Sequence, residues 1–249
     1  MKRLAFILGI CCILASSCKQ ELESPAAIDT SYFPLKVGDS LVYRYNVQRW
    51  IGFFHGNEQA ITSFYKEYIE SYFLNAEGDT IFRLECYTRP DTLSEWNLIA
   101  VNHYRKTPLR VFKTLDNLTF EKMNFPVKDG KTWDANIFID SVMFYNTHYQ
   151  DDVVNDITVS NFTGVKSDST RISKTNQPYS VNGKSFPETV TVTLHNKTSA
   201  IHDDYEVEVY AKNIGLIYKK QFHLEKSFNN STGQYEPWNG YLKEWVIDN

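Results

Sequence analysis

The chain has 249 residues, with 26 basic and 30 acidic side chains and a net charge of −4. This acidic balance argues against nucleic acid or an anionic lipid surface as a partner. The 16 Tyr, 16 Phe and 5 Trp residues favour β-strands over helices, and the length suffices for one large β domain or two small domains.

Residues 1–17 predict a secretory signal peptide. Lys2 and Arg3 form a short positive start, and residues 4–14 are an unbroken apolar run. That run is much shorter than the ~20 residues that a membrane-spanning helix needs. Small residues follow and end at Cys18, a pattern typical of signal cleavage. Without residues 1–17 the chain keeps 24 basic and 30 acidic residues.

The run ASSC at residues 15–18 resembles the lipobox of bacterial lipoproteins, although Ala15 stands where leucine is usual. The resemblance implies that Cys18 is acylated and becomes the first residue of the mature protein, so that the membrane is a partner through the lipid anchor. Residues 18–30, which include Pro25, are then a lipidated tether. Because Cys86 is the other cysteine left after processing, we expect no stabilising disulfide.

Residues 31–249 predict a β-rich globular domain. In residues 41–50, for example, Leu41, Tyr43 and Tyr45 alternate with Val42 and Arg44, the period of a strand with two different faces. Similar segments are separated by turns, such as residues 76–79. Strands are predicted at residues 41–50, 71–75, 80–88, 96–104, 109–115, 118–124, 137–145, 153–159, 189–196, 205–210, 215–224 and 241–247. This series predicts an antiparallel all-β fold, as a curved sheet or an incomplete barrel.

Residues 61–73 allow two interpretations. Apolar residues such as Ile61, Phe64, Tyr65, Tyr68 and Phe73 fall at helical spacing. The same stretch is rich in Tyr, Phe and Thr, which favours strands. We predict a long strand, with a single helix as the alternative.

One motif occurs twice in the chain. FPLKVGDSL at residues 33–41 is similar to FPVKDGKTW at residues 125–133. In each copy Pro keeps the chain extended, Gly permits a turn and a strand begins after it. The echo has two interpretations, a turn that is used twice or a duplication that gives the domain two similar halves.

Three runs resemble Bacteroidetes outer-membrane lipoproteins of unknown function. They are YFPLKVGDSLVY at residues 32–43, FPVKDGKTW at residues 125–133 and YAKNIGLIY at residues 210–218. The acidic segment KQELE after Cys18 resembles the same group. The resemblance implies a β-rich envelope domain at the outer membrane, on either the periplasmic or the cell-surface face. It brings no catalytic residue with it.

Two candidate ligand-binding motifs are better explained as ordinary structure. The run GKS at residues 183–185 lacks the first glycine of a phosphate-binding loop, since Pro178 occupies its position, and Asn182-Gly183 favours a hairpin turn. The oxygen-rich segment at residues 151–156 lacks the spacing and the glycine of a calcium loop.

Cys86 lies on the apolar face of its strand, which favours a small buried side chain over a nucleophile.

His195 and His202, with Asp203 and Asp204 beside them, are candidate metal ligands. The seven-residue spacing across a turn does not match an established ligand pattern. We therefore predict no catalytic residue, no cofactor and no metal ligand, and Cys18 is the one modification site assigned with a specific signal.

A second, weaker modification pattern resembles the Asp-Ser/Thr-apolar acceptor of Bacteroidetes O-glycosylation. It occurs at residues 39–41, 79–81, 91–93, 140–142 and 168–170. Turn chemistry also favours Asp-Ser and Asp-Thr pairs. We predict that one or two of these positions carry glycan.

Two functions stay open. The first is a non-catalytic binding or assembly component, in which a curved sheet presents an aromatic-lined concavity to a glycan, a lipid or a protein ligand. The five tryptophans are candidates to line that concavity, or else to fill the core: Trp50, Trp96, Trp133, Trp238 and Trp245. The alternative is a hydrolase that uses paired carboxylates.

Overall fold

A computed structural model describes residues 27–51, 58–138 and 170–248 of the chain. These residues form twelve strands and no helix, which confirms the predicted all-β class. The strands are β1 (Ser40–Trp50), β2 (Glu58–Leu74), β3 (Thr80–Arg89), β4 (Asn97–Lys106), β5 (Arg110–Leu115), β6 (Leu118–Asn124), β7 (Thr132–Trp133), β8 (Thr170–Val181), β9 (Lys184–Thr198), β10 (His202–Ala211), β11 (Gly215–Asn229) and β12 (Gln234–Ile247).

All twelve strands belong to one antiparallel sheet with the order β6-β5-β4-β3-β2-β1-β12-β11-β10-β9-β8-β7. Two six-stranded meanders are therefore joined side by side through β1 and β12. The sheet curls until its edges meet, where Glu121 N donates to Ala135 O at 2.9 Å and Trp133 Nε1 donates to Glu121 O at 3.0 Å. No strand ladder joins β6 to β7 in the described residues, so the barrel-shaped sheet keeps one seam, which confirms the predicted incomplete barrel.

Residues 61–73 lie in β2, so the strand interpretation is confirmed. Two features of β2 give the helix-like pattern, namely apolar residues on both faces and a bulge between Ile69 and Ser71. Before it, Tyr65 and Ile69 point into the core at even spacing. After it, Tyr72 pairs with Phe82 of β3, which packs against the core. The extra residue changes the same-face spacing from two to three, which imitates a helical period.

The predicted turn at Asn182-Gly183 is confirmed, because both residues have positive φ angles (51° and 71°) and connect β8 to β9. Strand β8 itself was not predicted. Its pairing with β9 is interrupted by three register shifts, and its sequence is polar and contains Pro178. Such a strand lacks the alternation on which prediction depends.

One predicted strand begins in a turn. Ile137 and Phe138, the first residues of the strand expected at residues 137–145, form part of a turn after β7. The remainder of that segment, and the strand expected at residues 153–159, lie outside the described residues.

The segment before β1 closes one end of the barrel. Tyr32 and Phe33 are buried, and the Phe33 ring centroid lies 5.2 Å from that of Tyr104 and 5.4 Å from that of Tyr210. Lys106 Nζ donates to the Phe33 carbonyl at 2.8 Å. Full burial of one such ring contributes about 1.5–3 kcal/mol, so this segment is an integral part of the core.

The two Phe-Pro motifs make the same backbone hydrogen bonds. Gly38 N donates to Ile69 O at 2.8 Å, and Gly130 N donates to Ile172 O at 2.8 Å. Each motif thereby binds the second strand of the meander that it precedes, β2 in one case and β8 in the other. This pattern is compatible with both interpretations of the echo, and duplication stays a prediction.

Candidate functional site

Strand β10 contributes to two different surfaces of the barrel. Consecutive side chains of a strand point to opposite faces. The inner face receives His202, Asp204, Glu206 and Glu208, and the outer face receives Tyr205, Val207 and Val209. The ten residues of this strand therefore contribute to two surfaces that differ in chemistry.

The outer face of β8–β11 forms an open groove of about 750 Å³. Four aromatic rings line it in two pairs. The ring centroids of Tyr179 and Tyr218 lie 5.8 Å apart, and those of Tyr205 and Phe222 lie 5.3 Å apart, both pairs tilted by about 35–37°. This size lies within the ~300–1,000 Å³ that small-molecule sites usually occupy.

The groove presents neutral hydrogen-bonding groups. Burial raises the pKa of the Tyr179, Tyr205 and Tyr218 hydroxyls, so these phenols stay protonated across the physiological range. Tyr218 Oη donates to Glu244 Oε1 at 2.7 Å, and Lys220 Nζ lies 3.7 Å from the same oxygen. The lysine charge at the groove is thus partly balanced by a carboxylate.

The inner face contains a buried ion network that crosses the barrel. Lys122 Nζ of β6 lies 2.6 Å from Glu208 Oε1 of β10, although these strands are not neighbours in the sheet. Lys219 Nζ lies 2.9 Å from Glu206 Oε1 and 3.5 Å from Glu208 Oε1. Burial alone raises the pKa of Glu208, but the two ammonium groups outweigh burial and lower it to about 2.

A second buried pair lies nearby on the first meander. Lys113 Nζ donates to Glu67 Oε1 at 2.6 Å, and the hydroxyls of Tyr65 and Tyr104 donate to the same carboxylate at 3.3 and 3.2 Å. Cys86 beside it is 0% exposed. Burial raises the pKa of its thiol to about 11, so the group is a buried thiol, as the sequence predicts.

These carboxylates are arranged as a structural network rather than as a hydrolytic pair. Glu206 and Glu208 are almost fully buried, and each is held by a lysine. A general acid needs a raised pKa and access to substrate, whereas the pKa of Glu208 is lowered. The alternation of acidic and apolar residues along β10 was the sequence signal for this network, and the sequence reasoning did not use it.

At one end of the inner face the structure brings together His202, Asp204 and His223. One ligand atom from each lies within 4.8 Å of the others. The sequence had grouped His202 with His195 instead, but β10 pairs His195 in backbone register with Glu206. Asp203 points to the other face and forms an ion pair with Lys226 at 2.7 Å. The third member, His223, comes from β11, and no sequence spacing indicates that contact.

The tryptophans do not line the groove. Trp133 and Trp245 are buried in the core, and Trp96 lies beneath the cationic groups of Lys66 and Arg89, 4.8 and 4.4 Å from its ring. The concavity that the sequence predicts is therefore lined by tyrosines and one phenylalanine.

The predicted modification sites are distributed unevenly over the described residues. Cys18, residues 140–142 and Ser169 of the motif at residues 168–170 lie outside them. The oxygen-rich segment at residues 151–156, which was weighed as a calcium loop, also lies outside them. Thr92 lies in an exposed loop, next to Leu93 with 95% exposure. Asp91 Oδ1 accepts from the Leu93 and Ser94 amides at 2.8 Å, so this aspartate also has a turn role.

The described residues contain no helix with the length and hydropathy required to cross a membrane.

Comparisons with known proteins give two distant structural likenesses. A protein from Parabacteroides distasonis assigned as a lipoprotein has 12% identity and a TM-score of 0.42, over 88% of this chain and 97% of its own. A protein from Bacteroides fragilis assigned as exported, with a YmcC-like fold, has 13% identity and a TM-score of 0.37, over 86% and 96%. No protein-family model and no curated protein matches the chain. At such low identity and TM-score neither likeness assigns a function or a location.

Proposed function

We propose that this protein is a non-catalytic binding component of the bacterial envelope, anchored through acylated Cys18, whose outer groove binds a neutral oligosaccharide. The observation that carries the proposal is the groove of about 750 Å³ with four aromatic rings on the outer face of β8–β11. The inner face is occupied by packed side chains and ion pairs, whereas the groove is an accessible concavity of suitable chemistry among the described residues.

Three properties favour a neutral sugar chain over the other ligand classes. The groove is open and mixes aromatic rings with hydroxyl and amide groups such as those of Thr191 and Gln177. A lipid tail favours an enclosed apolar cavity. Aromatic faces pack against the apolar face of a sugar ring, and neutral phenols donate to its hydroxyls. The charges of Lys174 and Lys220 are opposed by Asp129 and Glu244, which does not favour an anionic ligand.

Calorimetric titration with maltohexaose, cellohexaose, mannohexaose and xylohexaose tests the groove. We expect saturable binding of at least one of them. The substitution Tyr205→Ala removes one aromatic ring from the groove. Because an aromatic contact contributes about 0.5–1.5 kcal/mol, the affinity for the oligosaccharide should fall about 2- to 10-fold. Tyr72→Ala is the matched control, because Tyr72 is 61% exposed on β2, away from the groove; its affinity should equal that of wild type.

Two outcomes would overturn the glycan proposal. One is the absence of binding with all four oligosaccharides. The other is binding that Tyr205→Ala and Tyr72→Ala weaken equally, since the sugar would then occupy a surface other than the groove.

The anchor is supported by the lipobox-like run at residues 15–18 and the short signal before it. Mass spectrometry of the amino-terminal peptide, from protein made in a Bacteroidetes host, should show acyl chains on Cys18 and no residues before it. Cys18→Ser should abolish acylation, and Cys11→Ser, in the same signal, should leave it unchanged. An unmodified terminus in protein released to the medium would contradict the anchor. Protease treatment of whole cells then distinguishes surface from periplasmic display at the outer membrane.

A further inference from the structure

The cluster of His202, Asp204 and His223 is positioned by regular backbone. Residues two apart on a strand share a face, which places His202 and Asp204 side by side on β10. The register of β10 with β11 pairs Asp204 directly with His223. The cluster lies near the β9–β10 turn, at the opposite end of the barrel from the end that Phe33 closes. Its three side chains therefore project from rigid strands rather than from flexible loops.

The distances within the cluster approach those of a metal centre. Tetrahedral Zn²⁺ with bonds of ~2.0–2.2 Å places its ligand atoms ~3.3 Å apart. His223 Nδ1 already lies 3.7 Å from Asp204 Oδ1. All three ligand atoms lie within 4.8 Å of one another, so a side-chain displacement of about 1.5 Å at the widest pair brings the set to the spacing of a tetrahedral ion.

Burial provides a second, independent observation. Asp204 is 1% exposed, while His202 and His223 are each partly exposed. The Nδ1 atom of His223 is buried and makes no hydrogen bond with any of the described residues. A buried imidazole nitrogen without a hydrogen bond is unfavourable unless another group occupies that position. The rings of His202 and His223 stand edge to face, with 4.8 Å between their centroids.

We infer that His202, Asp204 and His223 bind one divalent transition-metal ion, with Zn²⁺ as the best fit. Two imidazoles and one carboxylate suit this class of ion, whereas Ca²⁺ and Mg²⁺ prefer oxygen ligands throughout. Three protein ligands leave the fourth position of a tetrahedral ion open to water or to an oxygen of a ligand. The cluster lies on the inner face and the groove on the outer face. The metal site and the proposed function are therefore independent, and failure of one leaves the other intact.

Calorimetric titration of the chelator-stripped protein with Zn²⁺ tests the site. Wild type should bind one ion per chain. His202→Ala and His223→Ala should each weaken binding by about 100-fold or more, because even changes outside the ligand set weaken metal binding by 10–100-fold. His103→Ala is the matched control, since His103 is a half-buried histidine on β4 that packs against Phe73. The His103→Ala variant should bind Zn²⁺ with the same affinity as wild type.

Circular dichroism establishes that each variant is folded, and Asp204→Asn, which keeps the shape of the side chain, provides a third test if an alanine variant unfolds. It too should weaken Zn²⁺ binding. The inference is overturned if wild type binds no Zn²⁺, or if the cluster variants bind it as tightly as His103→Ala does. It is also overturned if the cluster variants change only the stability of the fold and leave Zn²⁺ affinity unchanged, as expected of a plain Asp204–His223 ion pair.

Discussion

The buried carboxylate of Glu208 offers a quantitative test of the inner network. Glu208→Gln keeps the shape of the side chain and removes its charge. In wild type this carboxyl is almost fully buried, with Lys122 Nζ at 2.6 Å and Lys219 Nζ at 3.5 Å from Oε1. The substitution therefore leaves two buried ammonium groups without the carboxylate that they share. The loss of the carboxylate should destabilise the charged form of Lys122 in particular, because burial already lowers the pKa of this lysine.

The loss of unfolding free energy in Glu208→Gln follows both from the pKa of Glu208 and from the usual cost of breaking a buried ion pair. The pKa of Glu208 falls from the ordinary 4.5 to about 2 in the folded protein, which corresponds to roughly 3 kcal/mol of folding free energy at neutral pH. Removing one partner of a buried ion pair typically costs about 3–5 kcal/mol. We therefore expect Glu208→Gln to lower the free energy of unfolding by about 3 kcal/mol at pH 7.

The stabilisation that the Glu208 carboxylate provides should decrease as the pH falls. A carboxyl with a lowered folded-state pKa stabilises the protein fully above its unfolded pKa of 4.5, and this contribution disappears as the pH falls towards 2. The difference between wild type and Glu208→Gln should thus shrink by more than half between pH 7 and pH 3. Urea denaturation followed by tryptophan fluorescence measures it at both values. Glu77→Gln is the control, because Glu77 is 75% exposed and should change stability by less than about 0.5 kcal/mol. Equal unfolding free energies for wild type and Glu208→Gln at pH 7 would refute this reasoning.

Three further predictions concern single residues. Gly240→Ala should lower the free energy of unfolding by about 3 kcal/mol or more, because its φ is +125° and an added Cβ would meet a backbone oxygen at 2.0 Å; Gly78→Ala, with open space around it, should lose only about 1–2 kcal/mol. Cys86 should stay unlabelled by a thiol reagent at pH 8 in the folded protein and react in urea, as peptide mass spectrometry would show, because it is buried and its pKa is about 11. Trp133→Phe removes the hydrogen bond to the Glu121 carbonyl across the seam; it should cost about 1–3 kcal/mol and speed amide exchange at the seam, and unchanged exchange would contradict that role.

The sequence was sufficient for the fold class because most strands alternate cleanly. In β3, Leu84 and Cys86 are buried and Glu85 faces outward, as the pattern predicts. Prediction failed where the pairing is irregular. Apolar residues on both faces of β2, together with its bulge, imitated a helical period. Strand β8 has three register shifts, so its polar residues show no steady alternation.

The sites were harder to predict because they depend on contacts between distant parts of the chain. For the tryptophans two positions were open, and Trp133 and Trp245 take the core alternative. The aromatic rings of the groove belong to tyrosines and Phe222, which the sequence pattern did not single out. Tyr179 and Tyr218 meet only because β8 and β11 curve towards one another. His223 joins Asp204 through the register of β10 with β11, which no single-sequence pattern encodes.

The most direct test of the proposed groove is nuclear magnetic resonance of the protein labelled on its tyrosine rings, during titration with the same four oligosaccharides. One of them should shift the ring signals of Tyr179, Tyr205 and Tyr218 together, while those of Tyr72 and Tyr235 stay in place. Shifts confined to Tyr72 or Tyr235, or no shift with any of the four, would contradict the groove as the binding site.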